Sequence, residues 1–395
     1  MSTTANINPI ILKWARETQG LSHEEVTSKK QLKKISSWED GSTKPTMNQL
    51  LTLAHLYRRP SAIFFLSKPP EGTKEIWDFR SSPIRDDLLA VSPTLKTEIR
   101  LCEYRRNRAL ELADVLEEET MSTIPSAKIE SDVEDTSTEL SRFLNVDFKR
   151  ITMFKDDTDA LNYWIELVEE KSILVFRSCN LRGSNPSYEE VRGVSSYEDE
   201  FPWILLNSQE HPRGQLFSLG HELIHLMMRS SGLCDLHEKG KSDIIQHEQF
   251  CNQVSASVLM PRKIIDRLIK ENSLLFRNEE QTESAISIIQ KNLHTSKESI
   301  ARRLVTLGHI AWDYYNRVRT ESMKSLDNHR KNPPKFRSRK GFSTYFKRVM
   351  RWNGPRYTNL TTDAYMSKKI SRGRAAEMLG TTIFHFNSIV EDLYR

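Results

Sequence analysis

The stretch 215-QLFSLGHELIHLMMRSSG-232 decides how the rest of the chain is read. Its apolar residues recur at helical spacing, while His221, Glu222 and His225 interrupt an otherwise oily run. On an α-helix, residues four apart lie on one face, so the two imidazoles can reach a single ion about 2.0–2.1 Å from each nitrogen. Glu222 stands about 100° further round, beside the pair. From there its carboxylate can take a proton from an attacking water, the role that the H-E-x-x-H pattern assigns to its glutamate. The competing reading is a core helix whose histidines are satisfied by ordinary hydrogen bonds.

Two imidazoles do not hold a catalytic zinc; a third protein ligand is needed. The extended pattern H-E-x-x-H-x-x-G-x-x-H would need glycine at 228 and histidine at 231, and the chain has Met228 and Ser231. Downstream candidates are His237, Glu238, His247 and Glu248. Glu248 is favoured, because Glu248 and Asn252 are four apart at the start of a helix whose Val254, Val258 and Leu259 face a core. Asn252 can then fix a zinc-bound histidine through its second ring nitrogen. His247 points away from that face, and Cys251 is read as packing. Before the motif, the apolar runs ILVF (173–176) and WILL (203–206) read as strands, and WILLN (203–207) is the expected sheet edge for an extended peptide.

The chain around this segment has 395 residues, 37% hydrophobic and 28% charged, which suits a soluble protein of two or three domains. No apolar run is long enough to cross a membrane and the N-terminus lacks a leader pattern, so a cytoplasmic location without membrane contact is expected. Four scattered cysteines, Cys102, Cys179, Cys234 and Cys251, form no C-x-x-C pair and argue against a disulfide framework or a thiolate zinc site. The net charge of +5 says little by itself. Between Lys324 and Arg351, however, ten Lys/Arg face one acidic residue with aromatics interleaved, a solvated linker or a surface for nucleic acid or an acidic partner.

Short helices are expected through 9–66, with the Ser22/Glu25 capping box and Gly20 and Gly41 as stops. A long helix is expected at 92–119, a loop at the acidic, Ser/Thr-rich 130–139, a helix broken near Pro261, and one further helix from SKESI to NRV. The resulting fold class is α+β, mostly helical, with a small twisted sheet beside the histidine helix. Its expected domains are a helix-turn-helix module (1–70), a metallopeptidase domain (84–320), and a basic linker with a C-terminal helical domain (321–395).

The combination of RGQLFSLGHELIH, EQFCNQVSASVLMP and SKESIARRLVTLGHI resembles the ImmA/IrrE family of zinc metallopeptidases. INPIILKWARE through WDFRS resembles the Xre-type helix-turn-helix that often precedes the peptidase, and ISRGRAAEMLGTTIFHFNSI resembles the family's tail. The resemblance implies a gluzincin-like site, with His221, His225 and Glu248 on Zn2+ and Glu222 as base. It implies a protein substrate, a helix-turn-helix repressor whose cleavage releases repressed genes, often stress-response genes. Departures from the family pattern at Gly220, Ile224 and Val254-Ser255 change packing rather than ligands.

The turn before QLKKISSWE is about two residues shorter than such modules carry, which tilts that helix away from groove-reading geometry. Lys29, Lys30, Lys33 and Lys34 are its candidate phosphate contacts, and Ser36 and Ser37 its candidate base contacts. Protein docking competes with DNA binding for this module. A DNA-binding transcriptional regulator with a structural or inactive zinc site is the alternative reading of the whole chain.

Overall fold

The computed structural model describes residues 4–19, 21–27, 32–57, 59, 61–69, 92–178, 191–229, 241–331 and 345–393. Two compact units, Met1–Leu101 and Cys102–Arg395, divide inside one long helix. The first holds α1 (Pro9–Glu17), α2 (His23–Thr27), α3 (Ile35–Glu39), α4 (Met47–Leu56), a 3-10 turn at Ser61–Phe65 and the start of α5 (Pro93–Leu116). Ile11, Leu12, Val26, Ile35, Trp38, Leu53 and Phe64 form its core. Arg16 is held in a two-pronged pair with Glu39, Nε to Oε1 at 2.8 Å and Nη2 to Oε2 at 3.0 Å, which ties α1 to α3.

The expected helix QLKKISSWE is shorter here: α3 begins at Ile35, and its five residues barely make one turn. Lys33, Lys34 and Ser36 are exposed. Ser37 instead donates to the Lys34 carbonyl at 2.9 Å. Lys29 and Lys30 lie outside the described residues, as does nearly all of the Pro/Gly/Ser-rich connection at 67–83.

In the second unit, α6 (Val133–Phe143), α7 (Phe148–Ile151) and α8 (Asp157–Glu169) lead into β1 (Leu174–Arg177), β2 (Gly193–Ser196) and β3 (Trp203–Leu206). The loop expected at 130–139 is mostly helix α6. Asp132 caps it by accepting from Asp135 N at 2.9 Å, and its inner face is bonded at 2.9 Å between Ser137 and Ser257. Composition misled here because the polar residues of the buried face are satisfied by other polar residues.

Next come α9 (Pro212–Met227), α10 (Lys241–Leu259), α11 (Arg262–Glu271), α12 (Glu279–Leu293), α13 (Lys297–Thr306) and α14 (Trp312–Lys331). The segment SKESI to NRV is two helices, α13 and α14, separated at Gly308, whose φ of +80° ends the first. Trp312, at the head of α14, is 51% exposed beneath the Arg302 guanidinium. The chain closes with α15 (Tyr345–Asn353), α16 (Pro355–Met366), α17 (Arg372–Met378) and α18 (Ile383–Leu393). Most of the basic stretch between α14 and α15 lies outside the described residues. No helix among the described residues is long and apolar enough to cross a membrane.

The sheet order is β1-β3-β2, with β1 parallel and β2 antiparallel to β3. WILLN is therefore the central strand, a correction to its expected place at the edge. Pro202 O and Leu206 O accept from β1 through Leu174 N and Ser178 N, while Asn207 N donates to Arg192 O on the β2 side. Backbone groups of a strand point alternately left and right, so both flanks of β3 are used. Its fully buried Trp-Ile-Leu-Leu run is the pattern of a strand covered on both faces, which suits the centre of the sheet.

The outer edge of β1 is sealed. Val175 N, which points away from β3, donates to Glu169 Oε1 at 3.2 Å, and Glu169 Oε2 accepts Arg356 N at 2.8 Å at the start of α16. A Cβ on Gly354 would stand 2.4 Å from the Val175 carbonyl oxygen, so only glycine lets α16 dock so closely, and its φ of +74° favours glycine as well. On the opposite edge, no strand among the described residues pairs with the far side of β2. Helix α9 packs across β2 and β3.

Candidate metal centre

Helix α9 begins at Pro212, capped by His211 Nδ1, which accepts from Arg213 N at 3.3 Å, and it is buried along most of its length. Leu216, Leu219, Leu223, Leu226 and Met227 enter the main core. Each such apolar side chain contributes about 1.5–3 kcal/mol through burial, so the polar face between them is held by its surroundings. Helix α10 crosses α9 at Gly220, where a Cβ would lie 2.5 Å from Ser255 Oγ, and Ser255 Oγ donates to Phe217 O at 3.1 Å. Gly220 and Ser255 are thus a matched pair.

This crossing brings three of the expected residues together. His221 Nε2 lies 3.0 Å from His225 Nε2. Glu248 of α10 sits 3.3 Å from His221 Nε2 through Oε2 and 3.5 Å from His225 Nε2 through Oε1. Tetrahedral ligands about 2.0–2.1 Å from a zinc stand roughly 3.3 Å apart, so these three donors have the spacing of three corners of a zinc shell. Asn252 Oδ1 lies 3.2 Å from His221 Nδ1, where it can accept that ring N–H. The donor set of two imidazoles and one carboxylate fits zinc.

His247, the neighbouring candidate, is half-buried on α10 and outside this cluster, while His237 and Glu238 lie outside the described residues. A second grouping joins His221 and His225 with Cys251, whose ligand atoms lie within 4.8 Å of one another. Cys251 Sγ lies 3.9 Å from Nδ1 of His225, the ring nitrogen opposite the Nε2 cluster, and 3.8 Å from Met228 Sδ. The thiol therefore backs the histidine, a contact whose only sequence signal is Cys251 standing three residues after Glu248.

Burial works to raise the Glu248 pKa, but hydrogen bonds from His221 and His225, and their charge, outweigh it and hold the carboxyl far below its usual range. For His225, burial disfavours the cation, yet Cys251, Glu248 and Glu222 around it raise its pKa well above the ordinary imidazole value. Zinc must displace that proton to bind.

Glu222 is 7% exposed on the side of α9 that meets the sheet. Ser195 Oγ of β2 donates to its Oε2 at 2.7 Å. Both Gly193 and Ser195 escaped the sequence reading, because GVSS has neither the length nor the alternation of a strand signal.

Residues 184–305, which span β2 to α13 and contain every residue of this cluster, match the family model Peptidase_M78, described as an IrrE N-terminal-like domain. Over 78 residues the chain is 37% identical to the radiation response metalloprotease IrrE of Deinococcus deserti, covering 19% of this chain and 28% of that protein. Over 79 residues it is 29% identical to the protein of the same name from Deinococcus radiodurans, covering 19% of this chain and 24% of the relative. The chain thus spans about a quarter of the length of the curated relatives it matches. Over this segment the chain is thus similar to the IrrE-type metalloproteases.

Proposed function

We propose that the chain is a zinc-dependent endopeptidase that cuts a partner protein, with His221, His225 and Glu248 as zinc ligands and Glu222 as general base. The observation that carries this reading is the convergence of three side chains, two imidazoles and a carboxylate, through contacts of 3.0, 3.3 and 3.5 Å, beside a second, buried carboxylate. Bound there, zinc supplies Lewis acidity, polarising the scissile carbonyl. Glu222 takes the proton of the attacking water and passes it to the leaving amine. Asn252 keeps the His221 ring in one tautomer, and Cys251 backs the His225 ring.

The peptide lies along the outer edge of β2 rather than β3. The Arg192/Asn207 bond marks the hydrogen-bonded pairs between β2 and β3. Strict alternation then turns the backbone groups of Gly193 and Ser195 outward, where an extended chain can pair with them.

The substrate is a helix-turn-helix repressor, and the name of the curated relatives points to a stress-response setting. The test is cleavage of a purified helix-turn-helix repressor. Chelator-treated protein loses the activity and recovers it with one equivalent of Zn2+. Full-rate cleavage in the presence of chelator would refute the assignment.

A further inference from the structure

We infer that Ser195 is the residue that positions Glu222 for proton transfer; the inference rests on the reading of Glu222 as the base. Ser195 has no exposed surface, and its hydroxyl donates to Glu222 Oε2 at 2.7 Å. Gly193 stands two residues earlier on the same face of β2. A Cβ there would come within 2.8 Å of both Glu222 Cγ and Oε1, so the glutamate side chain lies flat against this bare backbone. Glycine supplies the room and serine the fixed point.

The consequence for chemistry is geometric. A carboxylate held at one oxygen has its plane set, and its other oxygen stays available to receive a proton. Without the hydroxyl, Oε2 is a buried acceptor short of a partner, and the side chain leaves its seat to find one. The same residue turns its backbone N–H and C=O to the edge of β2 that no strand among the described residues pairs with, by the alternation that places Arg192 in a bonded pair. One strand therefore sets the register of a pairing peptide and the orientation of the base, which keeps the two at a constant distance.

Zinc-loaded wild type and Ser195→Ala are compared by zinc content, by crystal structure, and by steady-state cleavage of β-casein. Both hold one zinc per chain. In Ser195→Ala crystals Glu222 leaves its wild-type conformer, and kcat falls about 10- to 100-fold, as for a reacting group misplaced by an ångström, with KM within twofold. An unmoved Glu222 in Ser195→Ala overturns the inference, and the crystals decide this without turnover. Loss of zinc together with activity overturns it too, since that marks a structural role. Glu222→Gln that cleaves at the wild-type rate sinks the reading of the base instead, leaving the Ser195 hydrogen bond as a packing contact.

Discussion

The two edges of one small sheet are treated in opposite ways. At β1, the carboxylate of Glu169 takes an outward backbone N–H and α16 closes over the strand at Gly354. At β2, the outward groups of Gly193 and Ser195 meet no strand among the described residues, and the carboxylate nearby, Glu222, is seated by a side-chain hydroxyl. An unpaired edge recruits whatever extended chain it meets, so proteins cover it unless it has a use. Glycine serves both edges for the same steric reason and to different ends: Gly354 admits a helix, Gly193 admits the Glu222 side chain.

The sharpest way to break this comparison is to neutralise the carboxylate on the β2 side. Glu222→Gln is expected to lower kcat by about 10²- to 10⁴-fold, the range for a lost general base, with zinc content and melting temperature close to wild type. A large fall in melting temperature would mean that Glu222 serves stability as Glu169 does.

Next in size is Gly354→Ala. Its backbone, at φ 74° and ψ 151°, lies in a region almost confined to glycine, and the new Cβ meets the Val175 carbonyl. A loss of about 3 kcal/mol or more in unfolding free energy is expected from denaturant titration, with zinc affinity retained by the folded fraction. Unchanged stability would remove α16 as the seal of this edge.

Gly193→Ala is the matching change at β2. It should leave stability within about 1 kcal/mol and lower cleavage about tenfold by pushing Glu222 aside. Wild-type kcat in this variant would show that the base tolerates a different seat.

The last comparison concerns pH, whose effect is spread over several pH units. Burial pushes the Glu169 carboxyl up to about 8, against the hydrogen bonds from Arg356 N and Val175 N that favour its charged form. The folded state then holds a proton that the unfolded chain has released above about pH 4.3, so stability falls as pH rises toward 8 and levels off beyond it. The slope is up to about 1.4 kcal/mol per pH unit, read as a shift in urea midpoint. Glu169→Gln should flatten it; an identical slope in the variant would assign it to another group.

Helix α9 was legible because its signal is local. Four-residue spacing places His221 and His225 together whatever surrounds them, and the Glu248 to Asn252 interval does the same on α10. The same local logic failed at α6, whose Ser/Thr-rich composition concealed a buried polar face. Nor does it place Trp312, a large aromatic that lies open under Arg302. In the N-terminal unit it gave the helices but overextended α3, whose last residue, Glu39, is committed to Arg16.

The sequence by itself determined which residues could share a metal, since helical periodicity is set by chain geometry over a single turn. Only the tertiary structure decided which strand is the edge, that Ser195 and Gly193 seat Glu222, and that Glu169 and Gly354 close the other side. Strand order is a choice among hydrogen-bond partners distant in sequence, and four-residue strands carry no pattern that names their partner. The physical cause is that a strand's backbone groups are all alike until a neighbour satisfies them.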